Sequence, residues 1–278
     1  MEFSLHPVLA PNTEPLTRAD ATRWANIEDT ADNDLVDGLI RSARERIEAV
    51  TGRAFVSQQW DLLLDGFPSA SPRRPDGDIL LPRAPVHQVT SITYVDGDGA
   101  TQTLAAADYT VDRRREPCRI VPAYGESWPS TRDVPNAVTA RFRAGYSIPV
   151  TADQAIDLLT AVGHPYANTD PVQLVNLGGV LPAGLSVRTT YYVRDVSGDT
   201  FKLAATSGGT AIDITGAGTG THLVGLMPEP LLQALKVLVA TMYWHREEAS
   251  DEPLELVPYT VRRLVVGYRL FPGLVSRA

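Results

Sequence analysis

Cysteine, lysine and long apolar runs are what this sequence has least of. Cys118 is the single thiol in 278 residues, which excludes an internal disulfide and a thiolate metal cage and leaves a structural thiol as the plain reading. Lysine occurs only at Lys202 and Lys236, so arginine carries nearly all the positive charge. Acidic residues still outnumber basic ones, 33 to 25, for a formal charge of −8; a dedicated nucleic-acid binder would show a basic excess instead. The longest apolar run, "LLQALKVLVATMYW", is broken by Gln233 and Lys236 and is too short for a bilayer. After Met1, "EFSLHPVLAPNTEPLTRAD" has neither a basic n-region nor an apolar h-region, so a soluble chain made in a cytoplasm is expected.

Signatures of chemistry are equally scarce. "VDGDGA" sets Asp96 and Asp98 two apart, as in a calcium loop. Ala100 stands where a third oxygen ligand belongs and no glutamate closes the loop, so a hairpin turn is the better reading. In "DNDLVDG" the apolar Val36 falls at a ligand position, and Asp32 or Asn33 serves better as a helix cap. "GAGTGTH" lacks a following Gly-Lys-Ser/Thr and leads into strand-like residues, leaving no helix N-terminus to hold an anion. His6, His87, His164, His222 and His245 are scattered, with no i, i+4 pair; His245 is read as capping or flanking its helix. No serine occupies a G-x-S-x-G elbow. No enzymatic activity, metal or cofactor is expected.

What is present is the material of a folded chain: 44% hydrophobic and 21% charged residues suffice for a core. The first sixteen residues hold three prolines without periodicity and read as an extended arm. Thr17, with Asp20 three residues on, caps a short helix through about Trp24. A longer helix begins near Asp32. Its stripe of Leu35, Val36, Leu39, Ile40, Ala43, Ile47 and Val50 recurs at three and four, and Thr51-Gly52 supplies the stop.

From Phe55 to Tyr146 the pattern turns to β, with "QQWDLLL", "DILLP", "VTSITYV", "TQTLA", "YTVD", "CRIVP" and "AVTARFRAGY" as strand-length runs. "ITYVDGDGATQTL" reads as a hairpin with Asp96-Gly97 at its tip, and "GESWPSTRDVPN" as an exposed loop. A second β-unit spans 147–226, with Tyr191 and Val193 on one face and Tyr192, Arg194 and Val196 on the other; within it "TADQAIDLLTAV" is read as a short helix. After Pro228 a helix carries Leu231, Leu232, Leu235, Leu238, Val239 and Met242. "SDEP" breaks it, Pro258 starts a shorter one, and the end is an extended tail. Trp24 and Trp244, in helices, are read as core; Trp128, in a polar loop, is the aromatic expected at the surface. The fold class is α+β: helices at both ends packed with a central β-region, plus an inserted small all-β domain. Removing 147–226 would bring "FRAGY" almost directly onto "PEPLLQALKVLVATMYW".

Four short patterns then stand in order along the chain: a helix ending "E-x-x-T-G-R", an apolar-Pro-x-x-Pro-Val lead into a strand, "AGY" at a strand end and "Y-R-L" at the finish. Over about 17–146 and 228–271 they resemble the head–tail connector (adaptor, or head-completion) family of long-tailed bacteriophages and prophages. The resemblance implies a structural virion protein, a dodecameric ring in the neck. The ring would dock beneath the portal protein, present a platform to tail-completion or stopper proteins, and let genomic DNA pass through its channel without sequence-specific contact. It would be assembled in the host cytoplasm, with no membrane involved. It implies a division into an arm (1–16), a connector core (17–146 and 227–271), an inserted β-rich domain (147–226) and a tail (272–278). The insert is the departure from the family pattern.

Contact residues follow from that reading. Arg41, Arg44 and Arg46 either bridge to acidic groups on a neighbour or the portal, or remain solvated charges. Trp128 is a candidate protein contact. The C-terminal stretch from Pro258, with Arg262, Arg263, Tyr268, Arg269 and Phe271, is expected to reach another protein and order on contact. An acidic subunit around a DNA channel would let phosphates slide rather than stick. The alternative function is a surface- or carbohydrate-binding module in the insert, using Tyr191, Tyr192 and Trp128.

Overall fold

A computed structural model describes residues 3–69, 77–245 and 259–270. The "SDEP" break, Pro258, Phe271 and the 272–278 tail lie outside the described residues. Helices and antiparallel sheets alternate along the chain, an α+β architecture. The sequence reading joined 17–146 to 227–271, but the contacts draw their line elsewhere. One unit is Met1–Pro11 with Ser57–Gly145, and the other is Asn12–Val56 with Tyr146–Ala278.

The first unit is a five-stranded antiparallel sheet beside a three-stranded one. Its strands are β1 (Ser4–Leu9), β2 (Gln58–Leu64), β3 (Ile79–Leu80), β4 (Val86–Val95), β5 (Thr101–Thr103), β6 (Tyr109–Asp112), β7 (Arg119–Pro122) and β8 (Val138–Ala144), in orders β1-β2-β8-β4-β5 and β3-β7-β6. The alternation of a half-buried strand is clear on β8. On β8, Val138, Ala140, Phe142 and Ala144 are buried while Thr139, Arg141 and Arg143 are partly exposed. Across the open face Arg141 makes two bonds to Asp61 on β2, at 2.8 and 2.7 Å.

The arm of the sequence reading is in part a strand, since Ser4–Leu9 pairs along β2 as an edge. The "VDGDGA" segment is a turn. Oδ1 of Asp96 accepts from the amides of Asp98 and Ala100, and Oδ2 from Gln102. These donors, Gln102 foremost, hold the carboxylate below its usual pKa.

The second unit has two hydrophobic cores. The first lies among α1 (Arg18–Ala25), α2 (Asn33–Thr51), α3 (Glu229–Trp244) and α4 (Tyr259–Val265). Oγ1 of Thr17 accepts the Asp20 amide at 3.0 Å, the cap the sequence announced and a device of about 1 kcal/mol. Helix α2 buries Val36, Ile40, Ala43 and Ile47 against Leu231, Leu235 and Leu238 of α3 and ends at Gly52 with φ 72°, a left-handed residue suited to glycine.

The other core fills a closed six-stranded barrel of β9 (Ile148–Asp153), β10 (Leu158–Thr160), β11 (Pro171–Leu177), β12 (Thr190–Ser197), β13 (Thr200–Ala204) and β14 (Thr221–Val224), in order β10-β13-β12-β11-β14-β9. The helix read in "TADQAIDLLTAV" is instead the β9–β10 hairpin. Asp157 turns with φ 56°, and the carboxylate of Asp153 takes the Ala155 amide within the turn. The inward residues Leu159 and Ala161 follow the strand period of two.

Candidate functional site

The motif at the end of α2 organises the helical unit. Glu48 accepts the Phe55 amide with Oε1 (2.7 Å) and pairs with Arg44 through Oε2 (2.8 Å). The Thr51 hydroxyl donates to the Ile47 carbonyl (2.7 Å) and accepts from the Arg53 amide (3.2 Å). Arg53 Nε donates to the Tyr268 carbonyl at 2.7 Å, its guanidinium lies 5.8 Å from the Tyr146 ring centroid, and the Leu270 amide donates to the Thr51 carbonyl. So "E-x-x-T-G-R", the tyrosine of "AGY" and "Y-R-L", far apart in sequence, meet at one junction. Arg53 is the residue sequence reading missed. Its only signal was its place in the motif.

The expected contact residues do not form one surface. Arg41 and Arg46 are exposed on α2. Arg44 is not a surface residue at all: it is 3% exposed, bound to Glu14 at 2.7 Å and to Glu48, and is withdrawn as an external contact. An apolar helix face accepts an arginine only where carboxylates meet it, which a hydrophobicity pattern does not reveal. Arg262 and Arg263 are exposed on α4, whereas Tyr268 and Arg269 are half-buried in the turn that follows.

Trp128 is likewise half-buried. Its indole stacks on Phe67 at 4.8 Å and 7°, and Nε1 donates to the Gly77 carbonyl at 2.8 Å. It lines, with Pro68, Val121, Pro122 and the fully exposed Tyr124, an open groove of about 660 Å³. The exposed indoles are instead Trp24 (48%) and Trp244 (61%), which sequence reading put in the core. Trp244 falls across the helical wheel from Leu231, Leu235 and Leu238, the signal that was available. Tyr191, offered for carbohydrate binding, points into the barrel and its hydroxyl accepts the Ser186 amide, so no observation favours that alternative.

The groups capable of chemistry are committed elsewhere. Burial pushes the Cys118 thiol up to about 12, with Arg113 opposing, which keeps it protonated and unreactive. Among the described residues no group of three or more His, Cys, Asp or Glu is placed to hold a metal ion, and no described helix is long and apolar enough to cross a membrane. Ser57 Oγ and His87 Nε2 lie 2.9 Å apart, a pairing the spacing did not announce, but His87 is buried. His222 bonds Asn176 and the Ala217 carbonyl.

His164 sits against Tyr166 and Phe201 of the barrel and accepts the Tyr166 amide at 3.2 Å. Burial lowers its pKa, with Asp199 opposing. The unfolded imidazole takes its proton below about pH 6.5, the folded one only at lower pH, so this contribution to stability is complete above 6.5 and is lost as pH falls below it. The thermal midpoint of the wild type is expected to drop more between about pH 7.5 and about pH 5 than that of His164→Gln; equal drops would show that this histidine is not the cause.

No protein-family model and no curated protein matches the sequence. Among solved structures the chain is similar to a chain in the neck of an empty gene transfer agent (GTA) particle computed with C6 symmetry. That likeness has TM-score 0.54 and 18% identity and covers 96% of this chain and 95% of that one. It is also similar to a chain in the virion of a native GTA particle, with TM-score 0.51, 17% identity, and 95% and 94% covered. These likenesses show a shared fold, and the matched span takes in 147–226 as well as the helices.

Proposed function

We propose that this chain is a structural, non-enzymatic subunit of the neck of a phage-like particle. Copies of it form a ring between the portal protein and the tail-completion or stopper proteins, assembled in the host cytoplasm, through which the genome passes. The observation that carries this reading is the fold shared with a chain of a GTA neck across nearly the whole length of both. A ring of twelve, the number implied by the family resemblance, is compatible with the sixfold symmetry of that neck. The net charge of −8 suits a channel that must not hold DNA phosphates; a lumen lined with arginine would reverse this part.

The test is genetic. Particles made without this chain are expected to accumulate as filled or leaking heads beside detached tails, and expression in trans should restore joined particles. Normal joined particles without the chain would end the proposal.

Within the ring subunit, 147–226 is proposed as a detachable module. Its first and last strands lie side by side, with Ile148 opposite Val224, and Ser147 Oγ donates to the Gly225 carbonyl at 3.0 Å, so the chain leaves the barrel where it enters. Excising 148–224 is expected to leave the helical circular-dichroism signal and rings intact, because a loop is shortened at little entropic cost. Loss of the helical signal would refute the detachable reading.

A further inference from the structure

The exposed tryptophans have no part in what has been assigned so far. Trp24 on α1 and Trp244 at the end of α3 belong to one patch. Trp244 Nε1 donates to the Ala25 carbonyl at 3.0 Å, and the Lys236 ammonium lies 5.6 Å from the Trp24 ring centroid. Exposed tryptophan is the side chain that most often anchors a protein interface. Beside Arg23, which pairs with Asp20, and Lys236, the carboxylates Glu28, Asp29 and Asp34 are all exposed between α1 and the first turn of α2 and give this margin an acidic excess.

A second patch has the opposite charge and the same apolar character. On α4 and the turn after it, Tyr259 and Val266 are more than half exposed, with Arg262 and Arg263 exposed between them. The Arg263 guanidinium already lies over a ring, 5.7 Å from the centroid of Tyr259. The segments that carry them are tied to opposite ends of α2. The Tyr243 hydroxyl bonds Asp32 at its start, while Tyr268 and Leu270 bond Arg53 and Thr51 at its finish. Nineteen helical residues separate these anchors by roughly 28 Å. The two patches carry different side chains. Two different, complementary surfaces are the requirement for a heterologous, head-to-tail contact.

Resting on the ring reading above, we infer that the Trp24–Trp244 patch of one copy docks on the α4 face of the next. Arg262 and Arg263 meet the Glu28–Asp29–Asp34 margin and the indole faces, which attract a guanidinium by charge and by their π-electrons. The occupant is a second copy of this chain rather than another neck component.

The buried, protonated Cys118 leaves the full chain silent to mild oxidation, so engineered cysteines report cleanly. Asp29→Cys and Val266→Cys, mixed, are expected to give a disulfide-linked dimer, and neither alone should. In a second arm, the reversals Glu28→Arg with Asp29→Arg, and Arg262→Glu with Arg263→Glu, should each reduce rings at least tenfold by mass photometry or by incorporation into particles. Mixing the two reversed chains should restore rings, because their altered faces complement each other. Intact rings with no mixed disulfide and no effect of reversal would overturn this contact while leaving the ring standing. The absence of any oligomer, in solution and in particles, would overturn the ring and the contact together.

Discussion

Arg44→Ala is expected to weaken the helical unit by about 3–5 kcal/mol, far more than loss of any exposed arginine on the same helix. The Arg44 side chain is 4% exposed and is held by Glu14 at 2.7 Å and Glu48 at 2.8 Å. Burial opposes its charge, and the two carboxylates outweigh that cost. Truncation would take one countercharge from the nearly buried Glu48, while Glu48 must still hold the Phe55 amide that follows the helix. Removing a countercharge from a buried carboxylate favours its protonation or local opening. Arg41→Ala and Arg46→Ala, at exposed positions, should each stay within about 0.5 kcal/mol. Chemical denaturation followed at the helical signal separates the cases; if all three variants unfold alike, the network is not what fixes the end of α2.

Phe201→Ala is expected to cost about 3–5 kcal/mol, felt in the barrel and not in the helices. Phe201 is fully buried opposite Leu159, with its ring edge-on to His164 at 4.9 Å and to Tyr166 at 5.9 Å. Tyr166 is itself half-buried against this core, desolvation raising its hydroxyl to about 12. No smaller side chain fills that space without moving the two rings packed on it. The barrel core and the helical core share no residue, although both belong to one contact unit. Hydrogen exchange should therefore show the amides of β12 and β13 losing protection about a hundredfold or more while those of α2 and α3 keep theirs. Equal loss in both would mean a single cooperative body, and the module could not be regarded as separable.

Much of the secondary structure was legible because it rests on local rules. The Thr17 cap, the Gly52 stop and the alternation of β8 are each written within a few residues. The connector motifs were legible as a pattern but not as a mechanism. Nothing local says that Arg53 reaches the Tyr268 carbonyl, because that contact depends on the whole helical unit. Three readings failed, the first because periodicity reports which face a residue occupies but not what partner waits there. Arg44 lay on an apolar face and was buried by carboxylates from two segments. Trp244 was read as core for lying in a helix, although the wheel placed it outward. Trp128 was read as exposed for its polar loop, and Phe67 covers it. The 151–162 segment misled in another way. Its apolar residues fit a helical spacing by chance, while the turn at Asp157 uses a left-handed conformation that no hydrophobic pattern encodes.

The account stands on this chain being a repeated structural part of a particle neck. Cryo-electron microscopy of the native particle's head–tail junction puts that to the test most directly. The expected density is a closed ring of copies of this fold between capsid vertex and tail, with the barrel resolved in every copy. Finding the chain at the tail tip, on the capsid exterior or nowhere in the particle would contradict it.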